Sequence, residues 1–155
     1  MNNNEVLTNL REHLKFDDHK FIEILALADV KVSSDELASW FKAKTETEYA
    51  DLSDKMMAIF LDALILYKRG KESTNVARPL ETPITNNIVL KKLRVAFALE
   101  ESDIADIMQK ADPTIAPKAW STYFRKQGHK NYRVCPDPFL EAIMKGLTPS
   151  KNECQ

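Results

Sequence analysis

The sequence predicts an all-α protein made of two homologous four-helix units in tandem. Three observations support this: the chain resembles itself at a fixed offset, its apolar residues recur at helical spacing, and no stretch alternates apolar and polar residues with period two. With 155 residues, the chain is long enough to bury a core without a metal or a disulfide.

The repeat becomes visible when the sequence is moved by 83 residues, which aligns residues 3–64 with 86–147 without a gap. The apolar positions stay in phase throughout. Identical pairs include Asn3/Asn86, Asn4/Asn87, Val6/Val89, Leu10/Leu93, Arg11/Arg94, Ile24/Ile107, Phe41/Phe124, Tyr49/Tyr132 and Asp54/Asp137. We interpret the chain as a tandem duplication, with a first copy over 1–68 and a second over 85–147.

The first helix of each copy opens at an Asn-Asn pair, whose side chains we expect to cap the helix. The second begins near Asp17, or Glu100 in the second copy, because a carboxylate suits the positive end of a helix. An apolar stripe follows in each case, as expected of a helix that faces a core.

The third helix begins in the first copy at Ser33, which forms a capping-box pattern with Glu36. In the second copy Pro117 occupies an expected first helical position. The fourth helix opens at Asp54 or Asp137. Residues 69–84, which include two prolines, are predicted to be a linker, and residues 148–155 a flexible tail.

Composition excludes several classes of protein. No run approaches the roughly 18 apolar residues of a membrane-spanning helix, and the N-terminal residues lack the features of a signal peptide, so we expect a cytoplasmic protein without a membrane partner. Cys135 and Cys154 have no metal-ligand spacing, and the three glycines form no phosphate-binding loop. We therefore expect no metal and no cofactor.

Catalytic signals are equally weak. His13, His19 and His129 have no partner at a diagnostic spacing, and the paired carboxylates sit at helix starts, where they complement the helix dipole. We expect a protein that is not an enzyme and has no evident small-molecule substrate.

The two copies differ in charge, although the whole chain has a net charge of only -1. Residues 1–70 contain 9 basic and 13 acidic side chains, whereas residues 85–155 contain 11 and 8. A basic half could bind phosphate, and an acidic half could bind another protein or the basic half of a second molecule. Neutral drift of solvated faces after duplication would give the same pattern.

The stretch FRKQGHKNYR, residues 124–133, concentrates this basic charge. Cations in a last helical turn followed by Gly128 could simply end a helix. That explanation leaves the charges beyond the glycine without a reason, and together with a tyrosine they offer phosphate donors and a ring for stacking. The predicted nucleic-acid-binding residues are Arg125, Lys126, His129, Lys130, Tyr132 and Arg133.

The second and third helices of each copy predict a hairpin similar to a helix-turn-helix. Their connection is longer than usual and has no glycine. In the first copy, Asp35 and Glu36 would repel phosphate, so any groove-reading helix should be that of the second copy. It would carry Lys118, Thr122, Arg125 and Lys126.

The stretches NNIVLKKLRVAFAL, ESDIADIM and FRKQGHKNYRVCPDPFLEAIMKGL resemble the YehS family of bacterial proteins, a family of unknown function that is also a tandem duplication. The resemblance covers nearly the whole chain. It implies the two-copy architecture and assigns no activity. The first copy keeps Phe41, Lys42 and Tyr49 of the FRK-x-GHKNY-x-x-C pattern but lacks its Gly, His and Cys.

Two functions therefore stay open at the level of sequence. One is a nucleic-acid-binding or regulatory module that contacts DNA or RNA through the second copy. The alternative is a protein-interaction module that self-associates or docks a partner. A purely structural role for the basic stretch is a third possibility.

Overall fold

A computed structural model describes residues 1–70 and 83–147, and these residues form helices and loops without a strand. The predicted all-α class and the two four-helix units are confirmed. The helices are α1 (Asn3–Leu14), α2 (Asp18–Ala26), α3 (Ser34–Trp40), α4 (Asp54–Arg69), α5 (Asn86–Ala96), α6 (Glu101–Ala111), α7 (Pro117–Ser121) and α8 (Asp137–Gly146). A 3₁₀ helix, Thr122–Phe124, follows α7 directly. The predicted linker falls mostly, and the predicted tail wholly, outside the described residues.

The helix starts follow local capping chemistry. The Asp17 side chain accepts from the Lys20 backbone N–H at 2.8 Å, and the Ser33 hydroxyl accepts from that of Glu36 at 3.0 Å. Pro117 is the first residue of α7. These starts are confirmed because a cap depends only on residues within one turn of the helix end.

The Asn-Asn pairs do not act as the expected caps. The N-cap residues are instead Asn2 for α1 and Thr85 for α5, so the paired asparagines lie inside the first turn. Their side chains instead form hydrogen bonds with the long loop that precedes the fourth helix of the same copy.

Asn87 makes three hydrogen bonds to that loop in the second copy. Its Nδ2 donates to the carbonyl oxygens of Tyr123 at 3.0 Å and Arg133 at 2.8 Å. Its Oδ1 accepts from the backbone N–H of Cys135 at 2.9 Å. One buried amide thereby holds both ends of the loop.

Asn4 makes the same three bonds in the first copy. Its Nδ2 donates to the carbonyl oxygens of Trp40 and Ala50, at 3.0 Å each, and its Oδ1 accepts from the N–H of Leu52 at 2.9 Å. Each partner lies 83 residues before its equivalent in the second copy. We call these two amides the asparagine clamps; they are the polar residues that are buried in the part of the chain described.

The two copies share one hydrophobic core, to which both contribute buried side chains, including the equivalent Leu10 and Leu93. Their contacts are reciprocal. Helix α4 of the first copy packs on α5 of the second, and α1 of the first packs on α8 of the second. Since α1 corresponds to α5 and α4 to α8, the first helix of each copy packs against the fourth helix of the other. This is the pattern of an isologous dimer interface.

Hydrogen bonds repeat this reciprocity. Asp137 accepts from Asn86 of its own copy at 2.6 Å and from the Met1 nitrogen of the other copy at 2.8 Å. Its equivalent, Asp54, accepts from Asn3 of its own copy at 2.7 Å. It also accepts from the backbone N–H of Ile84, the equivalent of Met1, at 3.3 Å. Asp137 therefore joins its own first helix to the first copy, and Asp54 joins its own first helix to the residues that directly precede the second copy.

Cys135 is enclosed beside the clamp, where the equivalent residue of the first copy is Leu52. Burial, followed by the nearby Asp137 carboxylate, raises the pKa of the thiol to about 12. Cys135 thus behaves as a small apolar residue rather than as a nucleophile.

No helix in the two described ranges is both long enough and apolar enough to cross a membrane.

Replacing Asn87 by Ala should destabilise the protein by about 3 kcal/mol, because each buried group left without a partner costs about 1–3 kcal/mol. Urea unfolding followed by circular dichroism measures this loss. Asn131→Ala, at an exposed asparagine of the same loop, is the control and should change stability by less than about 0.5 kcal/mol. Equal stability of the two variants would show that the clamp does not hold the loop.

Cys135 should resist thiol reagents at pH 8 in the folded protein, because its raised pKa leaves almost no thiolate. The test uses a Cys154→Ser background, so that Cys135 alone is titrated with a disulfide reagent. We expect one thiol to react in guanidinium chloride and none within the same time in buffer. Rapid reaction in buffer would contradict the buried, protonated state.

Candidate nucleic-acid interface

Residues 125–133, here called the basic loop, follow the 3₁₀ helix and form two consecutive turns. The first is closed by a bond from the His129 N–H to the Lys126 carbonyl at 2.9 Å, and Gly128 adopts φ +97° in it. The second is closed by the Tyr132 N–H donating to the His129 carbonyl at 2.9 Å. Gly128 thus takes a positive φ in a turn, and not at the end of a helix.

The loop is closed on itself by further bonds. The Arg133 N–H donates to the Thr122 carbonyl at 3.3 Å, and Asn87 holds the carbonyls on both sides of the loop. His129 accepts the Asn131 N–H at its Nδ1, at 3.0 Å. In the neutral ring this bond leaves Nε2 as the N–H donor.

The structure brings all six predicted site residues into this one loop. Five are exposed, and Tyr132 is half-buried. The exposed residues are Arg125, Lys126, His129, Lys130 and Arg133.

Charge in the basic loop is not neutralised. Residues 125–134 contain four Arg and Lys side chains and no Asp or Glu. Among the described residues, none of these four cations forms an ion pair. Uncompensated positive charge on an exposed loop attracts polyanions.

The equivalent loop of the first copy has the same backbone bonds and the opposite electrostatics. Its turn and closing bonds join residues 43 to 46, 46 to 49 and 39 to 50, each 83 residues before its counterpart. Residues 42–51 contain two lysines and three acidic residues. Lys42 pairs with Glu48 at 3.5 Å, and the Tyr49 hydroxyl donates to Asp51 at 2.7 Å. Carboxylates in this loop thus bind Lys42 and Tyr49, and acidic residues outnumber lysines there.

The predicted position of Arg125 and Lys126 in a last helical turn is wrong. Helix α7 ends at Ser121, and Arg125 is extended, with φ -71° and ψ 154°. The clamp explains this ending: the Tyr123 carbonyl, which a continuing α-helix would need, accepts instead from Asn87. Both cations lie in the basic loop.

The proposed groove-reading helix of the second copy is correspondingly short. Lys118 is exposed on α7, a helix of five residues, and Thr122 begins the 3₁₀ helix and donates its hydroxyl back to the Ala119 carbonyl at 2.6 Å. In the first copy, α2 and α3 pack together across a connection of residues 27–33. In the second copy, the basic charge lies after α7 and not along it.

A stacked arginine, which no sequence motif indicated, supports the start of the basic loop. The Arg94 guanidinium lies 4.7 Å from the centre of the Phe124 ring, and its Nε donates to the Leu99 carbonyl at 3.2 Å. Arg11 lies over Phe41 in the same way, at 4.5 Å. The arginine and the phenylalanine are each identical in the two copies. A search for residues that both copies share could therefore have indicated this contact.

In the described residues, no three His, Cys, Asp or Glu side chains are grouped as metal ligands.

Comparison with known proteins adds a family. The family described as "Protein of unknown function (DUF1456)" matches residues 3–70 and again residues 86–152. The chain is 35% identical over 147 residues to "Uncharacterized protein YehS" of Escherichia coli (strain K12), covering 95% of this chain and 94% of that protein. No solved structure matches the chain.

The two matched segments coincide with the two copies seen in the sequence and in the helices. The chain therefore belongs to the DUF1456 family, of which it carries two tandem copies.

Proposed function

We propose that this protein is a nucleic-acid-binding module that acts through the basic loop of the second copy. The observation that carries the proposal is the contrast between two loops with the same backbone bonds. The first copy's loop contains three acidic residues and pairs Lys42 with Glu48. The second copy's loop contains no acidic residue, and its four cations form no ion pair with any other residue in the described ranges.

The loop has the donors that a phosphate backbone requires. Arginine and lysine side chains and the Nε2–H of His129 all project from an ordered, closed loop, and such contacts position a protein on nucleic acid. The clamp matters here because it fixes the backbone that carries these side chains. A preformed loop loses less conformational freedom when it binds.

A binding role, rather than a catalytic one, is part of this proposal. It is supported by the carboxylates that cap helices, such as Asp17, and by the protonated state of the buried Cys135 thiol. The free thiol also fits the reducing cytoplasm, in which we place the protein.

Binding to nucleic acid should weaken with salt. Three phosphates contacted on a duplex would give a slope of log affinity against log salt of about -2.7. Protein stripped of co-purified nucleic acid is titrated against labelled DNA and RNA at several salt concentrations. Lys130→Glu/Arg133→Glu should lower the affinity at least tenfold, since it reverses two of the unpaired charges.

The matched control is Lys31→Glu/Lys44→Glu, which makes the same charge change at exposed lysines of the first copy. It should retain most of the affinity. If affinity does not depend on salt, or if both variants lose it equally, the basic loop is not the binding surface.

Protein interaction is the second candidate, favoured by the opposite charge of the two copies and by a groove between them. This groove, of about 710 Å³, is bordered by α1, α6 and α8 and includes His13, Asp106 and Lys145. Sedimentation velocity at low and moderate salt tests self-association between the acidic and the basic copy. A dimer that dissociates as salt rises would support this alternative, and a monomer under all conditions would oppose it.

A further inference from the structure

The surface beside the basic loop differs between the copies in a second way. Three acidic residues of the first copy are replaced by aliphatic residues in the second. The exchanged pairs are Glu5/Ile88, Glu12/Val95 and Asp51/Val134. The second copy therefore combines more positive charge with an apolar surface, whereas simple drift in charge would not require apolar replacements.

These aliphatic side chains are unusually accessible. Val134 is 73% exposed and Val95 is 51% exposed. They are the two most exposed large hydrophobic residues in the described part of the chain. Neither side chain is needed for the core.

In the first copy, the positions equivalent to Ile88, Val95 and Tyr132 line one opening of about 380 Å³. There, Glu5 and Glu12 of α1 line the opening together with Lys44 and Tyr49 of the loop. The second copy is held by the same clamp bonds and the same loop bonds. By analogy with Glu5 and Glu12, Ile88 and Val95 of α5 are expected on the side of the helix that faces Tyr132.

Tyr132 differs from its counterpart through its neighbour. The Tyr49 hydroxyl is bound to Asp51, a contact that also raises the pKa of Tyr49. The position of Asp51 is taken by Val134 in the second copy, and within the described residues the Tyr132 hydroxyl has no hydrogen-bond partner. An exposed aliphatic residue, Val134, thus occupies the position at which the first copy has the carboxylate that binds its tyrosine.

We propose that Ile88, Val95, Tyr132 and Val134 form a patch that receives unpaired bases, so that the ligand is single-stranded nucleic acid. This inference rests on the proposed function and narrows its ligand. Bases of a duplex are stacked inside it and offer no face to such a patch. Proteins that bind single strands combine a cationic track for the backbone with apolar and aromatic surfaces for the bases.

The charge pattern favours this occupant. Phosphates of a strand would lie along the unpaired cations of the basic loop, which places their bases beside the adjoining patch. Carboxylates at these positions, as in the first copy, would repel the strand. Their replacement by side chains without charge or hydrogen-bonding groups suits the flat faces of bases, which every base offers regardless of sequence.

The test compares a labelled single strand of about 16 nucleotides, the upper end of common site sizes, with a duplex of the same length. Val95→Gln/Val134→Asn keeps the net charge and changes exposed positions, so the fold should be retained. We expect wild-type protein to prefer the single strand. We expect this variant to weaken single-strand binding roughly tenfold, within the range measured for removing one stacked base, and to leave duplex affinity and the salt slope unchanged.

A second variant, Val95→Glu/Val134→Asp, introduces the residues that the first copy has at these positions. It should abolish single-strand binding, and circular dichroism checks that it is folded. Equal binding of single strand and duplex by wild type, with no effect of Val95→Gln/Val134→Asn, would overturn the inference and leave the proposed function intact. Absence of any nucleic-acid binding by wild type would overturn both.

Discussion

The buried side-chain amide of Asn87, with its counterpart Asn4, is the interaction on which the rest of each copy depends. It lies at the start of the first helix and binds backbone groups 36 to 48 residues further along the chain. One side chain thereby ends the third helix, closes the loop after it and sets the approach to the fourth helix. An amide suits this position because it offers both donors and an acceptor without charge. Aspartate could only accept, and leucine could do neither.

The clamps fix each copy internally, and the reciprocal contacts then fix the two copies against each other. Asp54 and Asp137 connect the contacts within a copy to the contacts between copies. Each accepts one hydrogen bond from its own first helix and a second from Ile84 or Met1, which are equivalent residues. Lys92 and Asp62 add an ion pair between α5 and α4 at 2.8 Å. The first helix of each copy thus binds the loop of its own copy and packs against the fourth helix of the other copy. The position of the basic loop therefore depends on the clamp in its own copy and on the packing between the two copies.

The sequence could predict those structural features, such as helix starts, that depend only on residues close together in the chain. The helix starts at Asp17, Ser33 and Pro117 were located correctly, because a helix start is decided within a single turn. The end of α7 was misplaced, because Asn87 decides it from 36 residues away. Arg125 and Lys126 consequently belong to a loop, although their place after a helical pattern favoured the helix. The six candidate residues still share one loop, since they are contiguous in sequence.

The packing of the two copies against each other could not be predicted from the sequence, for a different reason. Helical periodicity shows which face of α1 or α5 is apolar, but not which helix covers it. The same apolar residues would be buried whether the first helix packed against the fourth helix of its own copy or against that of the other copy. The aliphatic replacements, at Val95 for instance, were visible in the sequence. They gain meaning only when Asn87 and the loop bonds show that this face adjoins the basic loop.

The reciprocal packing also bears on how such a protein can change over evolutionary time. In a dimer of identical chains every substitution appears twice, so a new surface is gained on both subunits or on neither. Two copies joined in one chain escape this rule. One loop can keep Glu48 and Asp51, which bind Lys42 and Tyr49, while the other has no acidic residue. Covalent fusion thus lets a symmetric scaffold carry an asymmetric surface, with one half free to specialise while the other preserves the fold.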